Sequence, residues 1–166
     1  MVEDGFNHDK SIMKITPLQL AIMKENQAII QTLLKNKTID INYIGYLYIS
    51  HQNERGFNFG DKLNKTALHM AVEKNNFDIV KMLLSYETID VNTVSIYNYK
   101  IDKYTKGYSY FEHQIIEKTA LFVAVENDNL EIIKLLLKQK NISVEKVLTL
   151  TSYAKTSDPT YKKHIV

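Results

Sequence analysis

Residues 66–92 read TALHMAVEKNNFDIVKMLLSYETIDVN and residues 119–145 read TALFVAVENDNLEIIKLLLKQKNISVE, so 13 of 27 positions are identical without a gap. Residues 16–42, which read TPLQLAIMKENQAIIQTLLKNKTIDIN, match the first of these segments at 12 of 27 positions. An internal repeat of this length is typical of proteins in which similar supersecondary units stack side by side. The sequence therefore predicts three structural units of one kind.

Each copy has the pattern of two short helices joined by a tight turn. A threonine begins every copy, and its hydroxyl can accept a hydrogen bond from the free amides of a first helical turn. These threonines are Thr16, Thr66 and Thr119. Apolar residues then recur at helical spacing, as in residues 68–72 and 79–84. Asn75 and Asn76 lie between the two groups and indicate a turn, because asparagine tolerates left-handed backbone.

The first six residues of each copy resemble the T-P-L-H-x-A signature of ankyrin repeats, since they read TPLQLA, TALHMA and TALFVA. The resemblance continues through both predicted helices and covers about half of the chain. The family's usual glycine between the helices is Glu25, Asn75 or Asp128 here, and the glycine usual after the second helix is also missing. The resemblance implies an all-α ankyrin solenoid of three helix-turn-helix pairs, here with long finger insertions that resemble β-hairpins.

The copies are spaced more widely than ankyrin repeats, which recur about every 33 residues. Their threonines are 50 and then 53 residues apart. The extra residues precede the next threonine, where the family has a β-hairpin finger, so both fingers should be long. The predicted organisation is an N-terminal partial finger at 1–15, repeat 1 at 16–42, finger insertion 1 at 43–65, repeat 2 at 66–92, finger insertion 2 at 93–118, repeat 3 at 119–145 and a C-terminal tail, a candidate cap, at 146–166.

The finger insertions are rich in tyrosine and hold eight of the 11 tyrosines in the chain. Tyrosine combines a large apolar ring with a polar tip, and recognition surfaces favour it. The same rings could instead pack on one another and keep a long hairpin ordered. The resemblance implies a concave binding surface lined by the fingers and the first helices. The candidate partner-binding residues are Tyr46, Tyr48, Phe57, Tyr97, Tyr99, Tyr104, Tyr108, Met23, Lys24, Glu73, Lys74, Glu126 and Asn127.

The sequence has few residue patterns that are typical of catalytic sites. The 5 histidines form no pair at metal-ligand spacing, and the 5 glycines form no phosphate-binding loop. The chain has no cysteine, so thiolate chemistry is excluded. The resemblance implies that His69 bridges backbone groups of neighbouring repeats. We therefore expect no catalytic residue, no metal and no cofactor, and a scaffold that binds another protein of unknown identity.

Nucleic-acid binding is the alternative function. Three lysines interleave with tyrosines in finger insertion 2, as they would in a surface that stacks bases and contacts phosphates. These lysines are Lys100, Lys103 and Lys106. The same insertion carries Asp102, Glu112 and Glu117, and the whole chain has a net charge of only +2. Phosphate binding requires an excess of basic residues, so a protein partner is favoured.

The sequence carries no signal for a membrane. No apolar run approaches the roughly 18 residues that span a bilayer. The N-terminus is acidic and polar and does not read as a secretory signal. We therefore expect a soluble, intracellular protein of the cytoplasm without a membrane partner.

Repeat 3 departs from the pattern of a terminal repeat. Terminal repeats need a polar outer face, yet repeat 3 keeps Val123, Leu130 and Leu135. The tail around residues 147–150 is therefore expected to fold back over repeat 3, or another chain to cover it. The chain should accordingly be a monomer or associate weakly with itself through repeat 3.

Overall fold

The computed structural model describes residues 11–52, 58–105, 108–145 and 149–155. Within these ranges, two helices form each repeat and strands connect the repeats. The helices are α1 (Pro17–Met23), α2 (Gln27–Leu34), α3 (Ala67–Glu73), α4 (Phe77–Leu84), α5 (Ala120–Glu126) and α6 (Leu130–Leu137). The strands are β1 (Ser11–Lys14), β2 (Gly45–Gln52), β3 (Asn58–Lys65), β4 (Val94–Thr105), β5 (Tyr108–Thr119) and β6 (Thr149–Lys155).

Side-chain caps fix where the helices begin. The Thr16 hydroxyl accepts a hydrogen bond from the Gln19 amide at 3.2 Å, and the Gln19 side chain accepts one from the Thr16 amide at 2.9 Å. An asparagine caps each second helix, as where Asn76 Oδ1 accepts from the Ile79 amide at 3.2 Å. Each cap satisfies an amide that has no partner within its helix. The helices therefore start where the repeat pattern predicts.

The turn between the paired helices has left-handed backbone, with φ of 52° at Glu25, 57° at Asn75 and 52° at Asp128. Asparagine and aspartate adopt this conformation more readily than glutamate does. Two contacts hold Glu25 there, because its carboxylate accepts from Asn76 Nδ2 at 3.1 Å and lies 3.5 Å from Lys74 Nζ. These residues thus preserve the turn that the family usually builds with glycine.

The long insertions form two antiparallel hairpins, β2 with β3 and β4 with β5. The hairpins also pair with each other, with Leu63 of β3 opposite Tyr97 of β4, and the six strands form one antiparallel sheet in chain order. Pairing between neighbouring fingers satisfies backbone groups that long, separate fingers would expose at their edges. The description all-α therefore fits the repeats alone, since the strands hold more residues than the helices.

The core lies between the stacked helix pairs, and one cluster of buried apolar side chains runs through all three repeats. Asparagines fasten each repeat to the next. Asn42 Nδ2 donates to the Thr88 carbonyl at 2.7 Å, and Asn42 Oδ1 accepts from the Asp90 amide at 2.8 Å. Asn92 makes the same two bonds to the backbone of repeat 3, at 2.6 and 2.8 Å.

Single strands lie at both edges of the sheet. β1 pairs with β2 in the position of a second finger strand, and residues 1–10 lie outside the described ranges. β6 pairs with β5, with Leu150 opposite Ile116, in the position of a first finger strand. The tail residues Thr149–Lys155 therefore extend the sheet, while Val147 and Leu148, which the sequence suggests as a cover for repeat 3, lie outside the described residues.

Candidate partner-binding surface

Strand pairing places the finger side chains on two faces of the sheet. Leu47, Leu63, Tyr97 and Ile116 lie directly opposite one another across four strands, and side chains paired in this way share a face. Tyr97 reaches Glu73 of α3 from this face, which therefore faces the first helices. We call it the inner face and the opposite side of the sheet the outer face.

Charged residues surround Tyr97 where three strands meet α3 and α5. The buried Tyr97 donates a hydrogen bond from its hydroxyl to the Glu73 carboxylate. Lys65 Nζ donates to the same carboxylate at 2.6 Å and lies 4.9 Å from the centre of the Tyr97 ring. Lys118 Nζ lies 5.1 Å from the ring centre and donates to the Glu126 carboxylate at 2.7 and 2.8 Å. We call Lys65, Glu73, Tyr97, Lys118 and Glu126 the Tyr97 cluster.

Tyr99 lies beside the Tyr97 cluster on the inner face of the sheet. Its ring stacks on that of Tyr97 with centroids 6.4 Å apart and an interplanar angle of 25°. Burial, followed by the charge of Glu73, raises the pKa of Tyr97. Burial, followed by the charges of Asp61 and Glu73, raises the pKa of Tyr99. Both phenols therefore stay protonated near neutral pH and can donate hydrogen bonds.

The lysine and glutamate residues of the cluster have a sequence spacing that recurs in repeats 2 and 3. Lys65 and Glu73 are eight residues apart, as are Lys118 and Glu126. The corresponding residues of repeat 1 are Ile15 and Met23, and the counterpart of Tyr97 in the first finger is Leu47. These three apolar side chains are half-buried against the core. The same position of the fold is thus apolar at the first finger and polar at the second.

The structure separates the finger aromatics that the sequence groups together. Tyr97 is enclosed within the cluster and Tyr99 is half-buried on the inner face, whereas Tyr46 and Tyr48 alternate with Leu47 and lie half-buried on the outer face. Two further candidates are placed in strands, Tyr104 in β4 and Tyr108 in β5, but their side chains lie outside the described part of the chain. Phe57 lies outside the described residues altogether.

The candidates on the helices fall into two groups. The half-buried ones are Met23, which packs on the core, and Glu73, which belongs to the Tyr97 cluster. The exposed ones are Lys24, Lys74, Glu126 and Asn127. Asn127 also has a structural contact, since its Nδ2 donates to the Val72 carbonyl of repeat 2 at 3.1 Å. Lys65 and Lys118 belong to the Tyr97 cluster but are absent from the candidates predicted from the sequence, although their eight-residue spacing to a glutamate recurs there.

His69 bridges two repeats, as the family resemblance implies. Its Nδ1 lies 2.8 Å from the Thr66 hydroxyl, and its Nε2 lies 3.0 Å from the Lys118 carbonyl. Burial lowers the pKa of His69 to about 4, so the ring is neutral at pH 7 and Nε2 can donate to that carbonyl. In repeat 1 the same position is Gln19, whose Nε2 donates to the carbonyls of Lys65 at 2.9 Å and Tyr43 at 3.0 Å.

Among the described residues, no three or more histidine, aspartate or glutamate side chains are grouped as a metal ion would require. None of the helices described here has the length and apolar character needed to cross a membrane.

Three stacked helix pairs, joined by bridging side chains and edged by a finger sheet, define a helical repeat protein of the solenoid class. A family model described as Ankyrin repeats (3 copies) matches residues 2–95 and 46–147. The chain belongs to the ankyrin-repeat family. Ankyrin repeats generally mediate protein–protein interactions. No curated protein matches the sequence.

Proposed function

We propose that this chain is a non-catalytic scaffold that binds another protein on the surface between the inner face of the finger sheet and the first helices. The observation that carries the proposal is the Tyr97 cluster with Tyr99 stacked on it. At this site the half-buried Tyr99 ring lies on the buried Tyr97 ring, and the polar groups around them are already held in place.

The cluster is pre-organised for binding. The Lys65 and Lys118 side chains are largely buried, and each already contacts a carboxylate. A partner therefore meets side chains whose conformations are fixed, and binding does not need to order them. Glu126 is the most exposed charged member of the cluster and is accessible to a donor group of a partner.

Tyr99 is the residue to which we assign the anchor role. Its ring stacks on the Tyr97 ring, and its protonated hydroxyl can donate a hydrogen bond to a partner. Buried aromatic anchors of this kind carry much of the binding energy at protein interfaces. Tyr97 acts as its support, and Tyr46 and Tyr48 would touch only a partner that extends to the outer face.

The charges of the described site favour a protein over nucleic acid. The two lysines nearest the aromatic rings, Lys65 and Lys118, are paired with Glu73 and Glu126. A nucleic acid placed here would meet carboxylates beside each ammonium group, whereas phosphate binding depends on unpaired basic residues.

The test compares Tyr99→Ser with Tyr46→Ser, which removes a half-buried tyrosine from the outer face. Proteins retained from a lysate of the source cells by the immobilised wild-type chain are identified, and the affinity of a purified partner is measured by calorimetry. Tyr99→Ser should weaken binding about tenfold or more, while Tyr46→Ser leaves it nearly unchanged.

Two controls make the result interpretable. Circular dichroism and the Tm should be similar for both variants, since both replaced rings are only half-buried. Equal affinity of wild type and Tyr99→Ser would overturn the assignment of the anchor. Retained material that is lost on nuclease treatment, with affinity falling steeply with salt, would favour the nucleic-acid function instead.

A further inference from the structure

Repeat 1 exposes apolar residues on the side away from repeat 2. Leu20 is 45% exposed, whereas its counterparts Met70 and Val123 in the next two repeats are buried. Val123 is therefore not part of an exposed outer face of repeat 3, contrary to the expectation from the sequence. Ile29 is 50% exposed, whereas its counterpart Ile79 is fully buried. A residue exposed in repeat 1 and buried in later repeats is one that a preceding repeat covers. We call the surface around Leu20 and Ile29 the N-face.

Repeat 3 shows the converse on the side away from repeat 2. Val125 is 53% exposed and its counterpart Val72 is buried. Val144 is 65% exposed and its counterpart Val91 is buried. These positions are buried in repeats 1 and 2 because a following repeat covers them. We call the surface around Val125 and Val144 the C-face; the N-face and C-face are the two halves of one kind of repeat interface.

The two edge strands of the finger sheet likewise correspond to the two halves of one finger. In a complete finger, Leu47 of the first strand lies opposite Leu63 of the second. By the repeat alignment, Leu150 of β6 has the position of Leu47, and Met13 of β1 has the position of Leu63. Among the described strands, β1 and β6 lie at the two edges of the sheet. An antiparallel contact between β6 and the β1 of a second molecule would place Leu150 opposite Met13, in the register of a complete finger.

We propose that the C-face of one copy binds the N-face of a second copy, head to tail, and that β6 and β1 close a shared finger across the contact. The occupant is a second copy because this chain carries both halves of the interface, each in the position that its own internal repeats cover. Such a contact is heterologous, so it leaves a free C-face and a free N-face and can propagate.

The contact is weaker than an internal repeat interface because two bridging donors are absent. Gln19 and His69 bond to the backbone before the next threonine, but the corresponding residue of repeat 3 is Phe122. Asn92 donates to the following repeat, but its counterpart is Glu145, which has no amide donor. The association should therefore be reversible and dependent on concentration.

One polar contact is retained in the proposed arrangement. Between repeats 2 and 3, Asn129 Nδ2 donates to Asn75 Oδ1 at 2.6 Å. The corresponding pair across the new contact is Asn26 of the second copy and Asp128, whose carboxylate can accept the same bond. The arrangement thus preserves a polar contact of the internal interfaces in addition to the apolar one.

Sedimentation velocity of the full chain from about 10 µM to about 1 mM tests the proposal, because weak contacts become populated in this range. The average mass of the wild type should rise with concentration. Val125→Glu disables the C-face and Ile29→Glu the N-face, so each variant alone should remain monomeric. Their equimolar mixture retains one intact interface and should form dimers but nothing larger. Phe77→Glu, an exposed apolar residue of the middle repeat, is the matched control and should behave as wild type.

A gain of affinity provides a second test. Phe122→His with Glu145→Asn restores both bridging donors and should tighten self-association about fivefold for each hydrogen bond. A wild-type chain that stays monomeric at about 1 mM overturns the proposal. So does an Ile29→Glu variant that still dimerises while Val125→Glu does not, because that result would indicate a symmetric contact through repeat 3. Tyr99→Ser should leave self-association unchanged, which separates this proposal from partner binding.

Discussion

His69 and Gln19 hold the same position in successive repeats and bond to the same kind of backbone carbonyl, but only His69 can titrate. His69→Gln would give repeat 2 the glutamine side chain that makes this bridge in repeat 1. The Gln19 side chain packs against Gly45, and a Cβ added at Gly45 would come within 2.6 Å of Gln19 Oε1. The counterpart of Gly45 in the second finger is Ser95, so the complete exchange is His69→Gln with Ser95→Gly. The buried Ser95 hydroxyl has no hydrogen-bond partner within the described structure, and its removal should itself change stability little.

The exchange should alter how stability depends on pH. Burial lowers the pKa of His69 from 6.5 to about 4. Because the folded-state pKa lies below the unfolded-state value, the unfolded chain takes up the proton first as the pH falls. The stabilising effect of neutral His69 is therefore complete above about pH 6.5 and is lost progressively toward pH 4. Between pH 7 and pH 5 this loss amounts to about 2 kcal/mol.

Urea unfolding followed by the helical circular dichroism signal at pH 7, 6 and 5 measures the effect. All other titrating groups are shared by the two proteins, so the difference in unfolding free energy isolates residue 69. The wild type should lose about 2 kcal/mol more than the double variant between pH 7 and pH 5. Ser95→Gly alone should retain the wild-type pH dependence. Parallel pH profiles for wild type and the double variant would refute the reasoning.

Three further substitutions test contacts at the base of the fingers and between neighbouring repeats. Gly45→Ser forces a side chain against Gln19 and should lower the free energy of unfolding by about 1–3 kcal/mol; adding Gln19→His should recover most of this in urea titrations. Tyr97→Phe removes the hydrogen bond to Glu73 and should lower the free energy of unfolding by about 1.5–3 kcal/mol, with an unchanged urea midpoint contradicting the cluster's role. Asn42→Ala removes two bonds between repeats 1 and 2 and should cost about 1–2 kcal/mol, seen as a lower Tm in calorimetry.

The helices could be predicted because their signals are local. The caps at Thr16 and Asn76 lie within three residues of the amides that they bond, and the left-handed turn at Asn75 depends mainly on that residue type. The joining of the fingers into one sheet was not predicted. The pairing of Leu63 with Tyr97 links two different insertions, and no local pattern specifies such a contact.

The candidate site shows what an alignment of the fingers could have added. Tyr46-Leu47-Tyr48 and Tyr97-Asn98-Tyr99 have the same alternation, which by itself predicts one shared surface for both pairs of rings. The repeat spacing of 50 residues places Leu47, not Tyr46, at the position of Tyr97. Because side chains alternate along a strand, this shift of one residue puts the two pairs on opposite faces of the sheet.

Contacts at the base of the fingers explain how this chain accommodates such long insertions. Gln19 Nε2 donates both to the Tyr43 carbonyl at 3.0 Å and to the Lys65 carbonyl at 2.9 Å, so one side chain holds the two ends of the first finger together. His69 holds the end of the second finger through the Lys118 carbonyl. With the root fixed in this way, the free-energy cost of a longer insertion rises only slowly with its length. The stacking of the repeats is therefore largely independent of what the fingers carry, and the second finger can replace an apolar contact at its root with the Tyr97 cluster without altering the solenoid.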